Sequence, residues 1–558
     1  MAWTGLIGFG LGVKMSRRAR LLADEGYWQR ETGRIQRDTL RDLVRTAAGT
    51  EFGREHGFEK LGSRSGDELL RAYGESVPLT DWYGVADRVR RMREGAEPDV
   101  LWPGLVGHFA QTSGTTAGDK FLPVTQEMFR SNYRSSLDIF GYLMRRGVRP
   151  SDLMSGRCLF LGGSSDLRED ANGIITADLS GLVTPLIRWP LSQVYSPGAE
   201  IALMSDWPEK IEAMARTAME QDIRFISGMP SWALVLMKRI RELDAERNGG
   251  RVRTFDAIWP NLRVFVHGGV RYAPFRSRVA EFWNGDASSD LPNRHELYPA
   301  SEGFIAQQDR EGDPGLRLMS DVGNVFEFVP TECVRDDGSL APDAPAYLAD
   351  EVEKGVRYCV VVTSCAGLWR YNIGDVVEFD DVPDGFGGTR SGTGPARLRI
   401  VGRHRHFINA FGENIIVEHI EEAVAEAAGA TGLVHGEFTA SPVYPGEGRM
   451  AGLELVIELD ERIAADSGLV ERFGAAFDAG IKSRNVDYTT KRGEDAGMAP
   501  PTVTAVPLGT FHRWMDASGK LGGQHKCPRC ANHREIVDGV LGVAGVGFAR
   551  PGLESAGV

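Results

Sequence analysis

The stretch IRFISGMPSWALVLMKRIRELDAERNGGRVRTFDAIWPNLRVFVHGG, residues 223–269, decides the fold class. Its first six residues read as a strand ending in Gly, and Pro230 opens a helix expected to run to about Glu242. LRVFVHGG (262–269) is a second strand, again ending in Gly. Strand, helix and strand at this spacing predict a βαβ unit and a parallel sheet. Upstream, RCLFLGG (157–163) reads as a buried strand, and Asp206-Trp207-Pro208 as a helix start with the Asp as cap. Downstream, HELYPASEG (295–303) repeats the pattern. Ligands of such sheets sit beyond the carboxyl ends of the strands, and the polar, Gly-rich segments here follow the strands.

A second region differs. VRYCVVVTS (356–364) and DVVEFD (375–380) read as strands of a β-rich subdomain, followed by a Gly-, Ser- and Pro-rich loop over 381–397. Beyond Gly402, Val417, Ile420, Val424 and Ala427 make a helical stripe. GLELVIELD (452–460) alternates like a strand, a long helix follows to about Arg484, and another strand lies near 502–507. The expected fold is α/β: a large N-terminal domain (1–402) with mainly parallel sheets plus a β-rich subdomain, and a smaller α+β C-terminal domain (403–558), with a joint at 402–405. Near the start, Leu40, Leu43, Val44 and Ala47 predict an amphipathic helix over 34–48.

The chain has 558 residues, 42% of them apolar and 25% charged, enough for a large core. Its net charge of −13, from 64 basic and 77 acidic residues, argues against nucleic acid as a partner. Six Cys in so long a chain make no disulfide framework, so a cytoplasmic setting with reduced thiols is expected. WTGLIGFGLGV (3–13) is too short to span a bilayer, and its basic cluster follows the apolar run, the reverse of a secretory signal. It is expected as a buried helix without stable membrane insertion, contact with a membrane surface being the alternative.

Four short stretches carry chemistry. In HFAQTSGTTAGDKFLPVT (108–125), Ser113, Gly114, Thr115 and Thr116 offer small hydroxyls and bare amides suited to phosphate oxygens, with Lys120 as a point charge. The spacing is neither that of a P-loop nor that of a Gly-x-Ser-x-Gly nucleophile turn. In GLWRYNIGDVVEF (367–379), Asp375 can accept hydrogen bonds from vicinal hydroxyls, although an Asp at a Gly turn often only caps structure. In YPASEG (298–303), Tyr298 has a face for a base, and Glu302 is a hard oxygen ligand suited to Mg²⁺ on phosphate. In GGQHKCPRC (522–530), His525, Cys527 and Cys530, with His533, invite a zinc reading, but the spacing is tighter than that of a zinc finger. A Gly-rich loop presenting Lys526 is the alternative.

In that order, and with Gly402-Arg403 at the joint, the stretches resemble the adenylate-forming superfamily of acyl-CoA synthetases, adenylation domains and luciferases. More narrowly the chain resembles the acyl acid amido synthetases, the auxin-responsive Gretchen Hagen family, in a bacterial-looking version. The narrower resemblance includes GTEFGREHGF (49–58), VPLTDWYGV (77–85), GRHRHFINAFGENI (402–415) and LGTFHRWMD (508–516). It implies that Ser113, Gly114, Thr115, Thr116 and Lys120 hold ATP phosphates and that Gly268, Gly269 and Tyr298 border adenine. It also implies that Ser301 and Glu302 serve the nucleotide and Mg²⁺, that Asp375 binds the ribose, and that Arg403 sits near the hinge. Lys526 is the implied catalytic lysine, acting with Ser113 and Thr116. Two departures are Asn414 where relatives often have Lys, and Ala117 where the superfamily often has Gly.

The implied activity is ATP-dependent amide ligation. A small carboxylic acid becomes an acyl-adenylate with release of pyrophosphate, then passes to an amino acid or another amine. An acyl-CoA ligase sharing the first step is the runner-up, and Asn414 keeps a catalytically silent nucleotide-binding protein in play. His108, Trp189, Met229 and Trp232 are candidates for an acyl pocket, although the last three fit plain core packing better.

Overall fold

The structure, a computed structural model, describes residues 3–112, 120–162, 167–204, 207–269, 272–335, 339–403, 407–408, 415–443, 452–460, 466–485, 488–489, 492, 498–519, 527–531 and 533–545. Two compact units meet in sequence between Ile400 and Val401. The strands of the first are β1 (His108–Thr112), β2 (Lys120–Pro123), β3 (Arg157–Phe160), β4 (Arg168–Glu169), β5 (Ile175–Ala177), β6 (Tyr195–Ser196), β7 (Ile223–Ser227), β8 (Val264–Gly268), β9 (Arg294–Ala300), β10 (Gly303–Gln308), β11 (Leu316–Leu318), β12 (Val325–Pro330), β13 (Arg357–Thr363), β14 (Tyr371–Asp381) and β15 (Arg397–Arg403).

The opening stretch folds as its pattern demands. β7 pairs in parallel with β8, and helix Pro230–Arg247 crosses between them. The helix outlasts the expected Glu242 because nothing breaks it until Asn248 and the left-handed Gly249 and Gly250. Parallel pairing continues through β6, β3, β7, β8 and β9. From β9 onward the pairs are antiparallel, in the order β9-β10-β11-β15-β14-β13-β12. The parallel strands and the β-rich region are therefore two halves of one 11-stranded sheet, with β9 as the shared member. A second, four-stranded sheet runs β2-β1-β5-β4.

Two expectations near the start need correction. The helix predicted over 34–48 spans Glu25–Thr46 and is capped by Asp24, whose side chain accepts from the Tyr27 N–H. Leu40, Leu43, Val44 and Ala47 are buried as expected. The part before residue 34 escaped notice because it buries only Trp28, Thr32 and Gly33 and shows no apolar stripe. Gln36 donates to the carbonyls of Ser320 and Asn324, and Arg37 pairs with Asp350 at 2.7 Å.

The second correction concerns residues 3–13. They belong to helix Gly5–Ala23, but its buried face is Gly5, Gly8, Met15, Ala19 and Leu22. A Cβ on Gly8 would lie 2.2 Å from the Pro150 carbonyl oxygen, so the glycine side lies against the body of the protein. Trp3, Leu6, Phe9 and Val13 are thereby turned outward, while Ile7 and Leu11 stay half-buried.

In the second unit, β18 (His435–Val443), β19 (Gly452–Leu459) and β20 (Thr502–Pro507) follow the short pair β16 (Phe407–Ile408) and β17 (Ile415–Ile416). β18 and β19 are antiparallel, and β19 and β20 parallel. Helices Val417–Thr431 and Ser467–Lys482 supply Ile420, Val424, Ala427, Phe473, Phe477 and Ile481 to its core. Among the described residues no helix is long and apolar enough to cross a membrane.

The large sheet buries two imidazoles, His267 and His295. Burial, reinforced by the Arg146 charge, pushes His295 down to about 3. The unfolded chain binds a proton near pH 6.5 and the folded one does not, so stability is lost as pH falls below 6.5. The expected cost is on the order of 1 kcal/mol per pH unit for this histidine, down to about pH 3. Urea midpoints between pH 7 and 5 check it: His295→Gln should flatten the pH dependence.

Candidate functional site

β1 carries the chain to Thr112 and β2 receives it at Lys120, and these two residues are paired across the strands. Ser113, Gly114, Thr115, Thr116 and Ala117 lie outside the described residues, so the structure fixes the base of their loop and not its contacts. Immediately after β2, Thr125 caps helix Gln126–Arg145, accepting from the Met128 N–H. The same hydroxyl donates to the Cys365 carbonyl at 2.6 Å. The Cys365 N–H in turn donates to Asn324 Oδ1 at 3.1 Å. These bonds tie the strand after the Ser-Gly-Thr-Thr stretch to the turn that leads into β14.

Asn324 also meets the next stretch. β9 and β10 form a tight hairpin in which Ala300 pairs with Gly303, leaving Ser301 and Glu302 half-exposed at its tip. Gly303 has φ +143, and a Cβ there would come 2.5 Å from the Asn324 amide nitrogen, so only glycine closes this turn beside Asn324. On the other side of β9, Gly268 pairs with Leu297 at the end of β8, where a Cβ would lie 2.6 Å from the Leu297 carbonyl oxygen. Gly269 follows in the left-handed region. The glycines and Tyr298 are thus neighbours across a parallel strand pair, at the carboxyl end of β8.

Tyr298 and Asp375 are both buried, at 4% and 8% exposure, and the Tyr298 hydroxyl donates to Asp375 Oδ2 at 2.7 Å. β9 and β14 are four places apart in the sheet, roughly 19 Å in a flat one. A direct hydrogen bond between them requires the sheet to curl. The contact therefore unites two stretches 77 residues apart in sequence.

The rest of GLWRYNIGD is scaffold. Trp369 is buried, donates to the Leu101 carbonyl at 3.2 Å and stacks on Phe52 and Trp102. Arg370 pairs with buried Glu327 at 3.1 Å. GTEFG (49–53), a stretch of the resemblance, and LWPG (101–104) thus serve the same aromatic cluster.

The remaining candidates divide. His108 starts β1, edge-on to Phe129 at 5.2 Å, and burial lowers its pKa. Met229 is buried and Trp232 packs partly buried in the parallel-sheet core, whereas Trp189 is 73% exposed and takes no part in a core. The backbone of Arg403 ends β15; its side chain, Asp206, Asn414, His525 and Lys526 lie outside the described residues. Beyond Lys526 the chain is held firmly within the second unit. The Thr439 hydroxyl donates to the Pro528 carbonyl at 2.7 Å, Cys530 bridges to Ala440, and Arg529 lies 4.4 Å over the Phe438 ring and pairs with Glu437. Cys527 and Cys530 are buried, which pushes both thiols up and makes them inert. Sequence reasoning did not find Thr125, Asn324 or Glu327, since each acts through a partner distant in sequence and no local pattern marks it.

The fold is that of the adenylate-forming enzymes. A GH3.15 acyl acid amido synthetase superposes with a TM-score of 0.73 at 16% identity, over 94% of this chain and 96% of that one. A 2-hydroxyisobutyryl-CoA ligase in its postadenylation state gives 0.55 at 16% identity, over 91% of each. Within that class the chain belongs to the GH3 family: residues 28–197 and 167–287 match the GH3 family N-terminal domain, 318–385 the central domain and 418–535 the C-terminal domain. Relatives include an indole-3-acetic acid-amido synthetase, GH3.8, of Oryza sativa subsp. indica, 27% identical over 90% of this chain and 89% of its own. GH3.3 of Arabidopsis thaliana, which carries the same activity name, is 21% identical over 90% of both chains.

Proposed function

We propose that this protein is an ATP-dependent, AMP-forming acyl acid-amido synthetase that joins a small carboxylic acid to an amino acid or another amine. The observation that carries the reading is the Tyr298–Asp375 hydrogen bond, together with the Thr125–Cys365–Asn324 links, which gathers three motif stretches in one place. The family matches over 28–287, 318–385 and 418–535 support it, as do the names of the relatives.

The chemistry sets what the residues must do. A carboxylate is a poor electrophile, and its attack on the α-phosphorus of ATP brings two anions together. Ser113, Gly114, Thr115 and Thr116, with Lys120, hold the phosphates, while Gly268 and Gly269 let the adenine approach the backbone at the end of β8. Asp375 accepts from the ribose hydroxyls, its carboxylate aimed by Tyr298. Glu302, one half-exposed carboxylate at a hairpin tip, fits a Mg²⁺ that takes its other ligands from phosphate and water. That ion would neutralise the phosphates. The acyl-adenylate forms with loss of pyrophosphate, and an amine then displaces AMP to give the amide. The second unit, with Arg403 at its joint and Lys526 in its tail, rotates about 402–405 between the half-reactions and keeps water from the mixed anhydride. A cytoplasmic setting accords with the free thiols.

A pyrophosphate-release screen over aromatic and aliphatic acids tests the reading, followed by an amino-acid screen with product masses. Product with coenzyme A and none with any amine would make the protein an acyl-CoA ligase. ATP binding without pyrophosphate release for every acid would make it catalytically silent. Within the site, Asp375→Asn is expected to raise the KM for ATP about 10–100-fold with kcat little changed, the effect of losing the charge from a hydrogen-bond acceptor. An unaltered KM would remove Asp375 from the nucleotide site.

A further inference from the structure

We propose that helix Gly5–Ala23 docks the protein on an anionic lipid surface. Its outward face carries Trp3, Leu6, Phe9 and Val13, exposed at 53%, 66%, 64% and 61%. The spacing places them in one stripe, roughly 15 Å long, which continues into exposed Arg17 and Arg20. Lys14 stands beside the stripe, 5.7 Å from the ring of Tyr133, itself half-exposed.

The helix is built to present this face. Gly8 is pressed against Pro150, Leu22 against Gly141, and Arg18 is spent inward, bonding Asp138 at 2.8 Å and Asp321 at 2.6 Å. Four large apolar side chains on a clamped helix bring nothing to the core. Beside them a groove of about 390 Å³ runs between Gly8, Phe9, Gly12 and Val13 and the segment Gly147–Ser151.

Charge selects the occupant. The chain carries −13 overall, yet residues 3–23 contain no Asp or Glu and four cations, Lys14, Arg17, Arg18 and Arg20. The acids that reach the helix from neighbouring elements, Asp138 and Asp321, are already bound by Arg18, and Asp321 also by Arg134. A face apolar at one end and cationic at the other suits a bilayer met obliquely: Trp3, Leu6, Phe9 and Val13 beneath the headgroups, Arg17 and Arg20 at the lipid phosphates. A second copy of the chain fits less well, because four partly exposed side chains fall short of the roughly 800 Å² per partner of a stable dimer.

Co-sedimentation of the full chain with phosphatidylcholine vesicles, with and without phosphatidylglycerol, tests this. The protein is expected to pellet with the anionic vesicles, less so as salt rises, and at least tenfold more weakly with neutral ones. L6S/F9S should lower binding at least tenfold, and R17Q/R20Q about twentyfold. Both variants alter exposed positions and should keep the circular dichroism spectrum of the parent. Failure to pellet, equal binding to neutral and anionic vesicles, or variants that bind like the parent would overturn the proposal. So would a dimer seen by light scattering that L6S/F9S dissolves, since the face would then belong to a second copy.

Discussion

Lys526→Ala is expected to lower pyrophosphate release by about 10²–10³, some 3–4 kcal/mol in the barrier, while ATP still binds. Joining a carboxylate to a polyanionic nucleotide concentrates negative charge, and the lysine answers that charge only as it develops. The chain that follows is anchored within the second unit. The carbonyl of Pro528 accepts from Thr439, Cys530 bridges to Ala440, and Arg529 is locked between Glu437 and the Phe438 ring. The loss should fall on the first half-reaction, because the group that attacks a preformed acyl-adenylate is a neutral amine and not an anion. Pyrophosphate exchange and amide formation from synthetic adenylate separate the two steps. Normal turnover by the variant would remove Lys526 from the chemistry.

Arg370→Met is expected to destabilise the first unit by about 3–5 kcal/mol, with urea denaturation as the measurement. Its guanidinium and the Glu327 carboxylate are almost wholly buried and 3.1 Å apart, and the same guanidinium donates to the carbonyls of Gly74 and Val77. Removing the cation leaves a buried carboxylate unpaired, which costs far more than the intact pair contributes. A double variant, R370M/E327M, should therefore recover much of the loss, because neither charge is then stranded. A single variant within about 1 kcal/mol of the parent, the worth of an exposed ion pair, would show that the pair is solvated in solution. The result also separates roles within one motif: Arg370 acts on stability, and Asp375, five residues on, on nucleotide affinity.

The sequence and the tertiary structure divided the work along physical lines. Periodicity and turn residues are local, so the alternation at 223–269, the strands of the second half and the helix at Val417–Thr431 could be read directly. The order of the short stretches pointed to the family, and the matches over 28–287, 318–385 and 418–535 agree. Helix Gly5–Ala23 was misread because composition says that residues are apolar and not which way they face. Gly5 and Gly8 took the inner side and turned Trp3, Leu6, Phe9 and Val13 outward. The start of the next helix, 25–33, was hidden for a related reason: it buries only Trp28, Thr32 and Gly33, which form no apolar stripe, and Gly33 lies against Asp350, a partner that no window contains.

By itself, then, the sequence determined the element types, the class of sheet and the family, since all of these are written in short-range spacing and in the order of motifs. Only the tertiary structure decided that the parallel and antiparallel strands share one curled sheet, that Tyr298 reaches Asp375, and which Arg serves the core. Those outcomes depend on chain closure over many tens of residues, and the free energy that fixes them lies in contacts between segments rather than within any one of them.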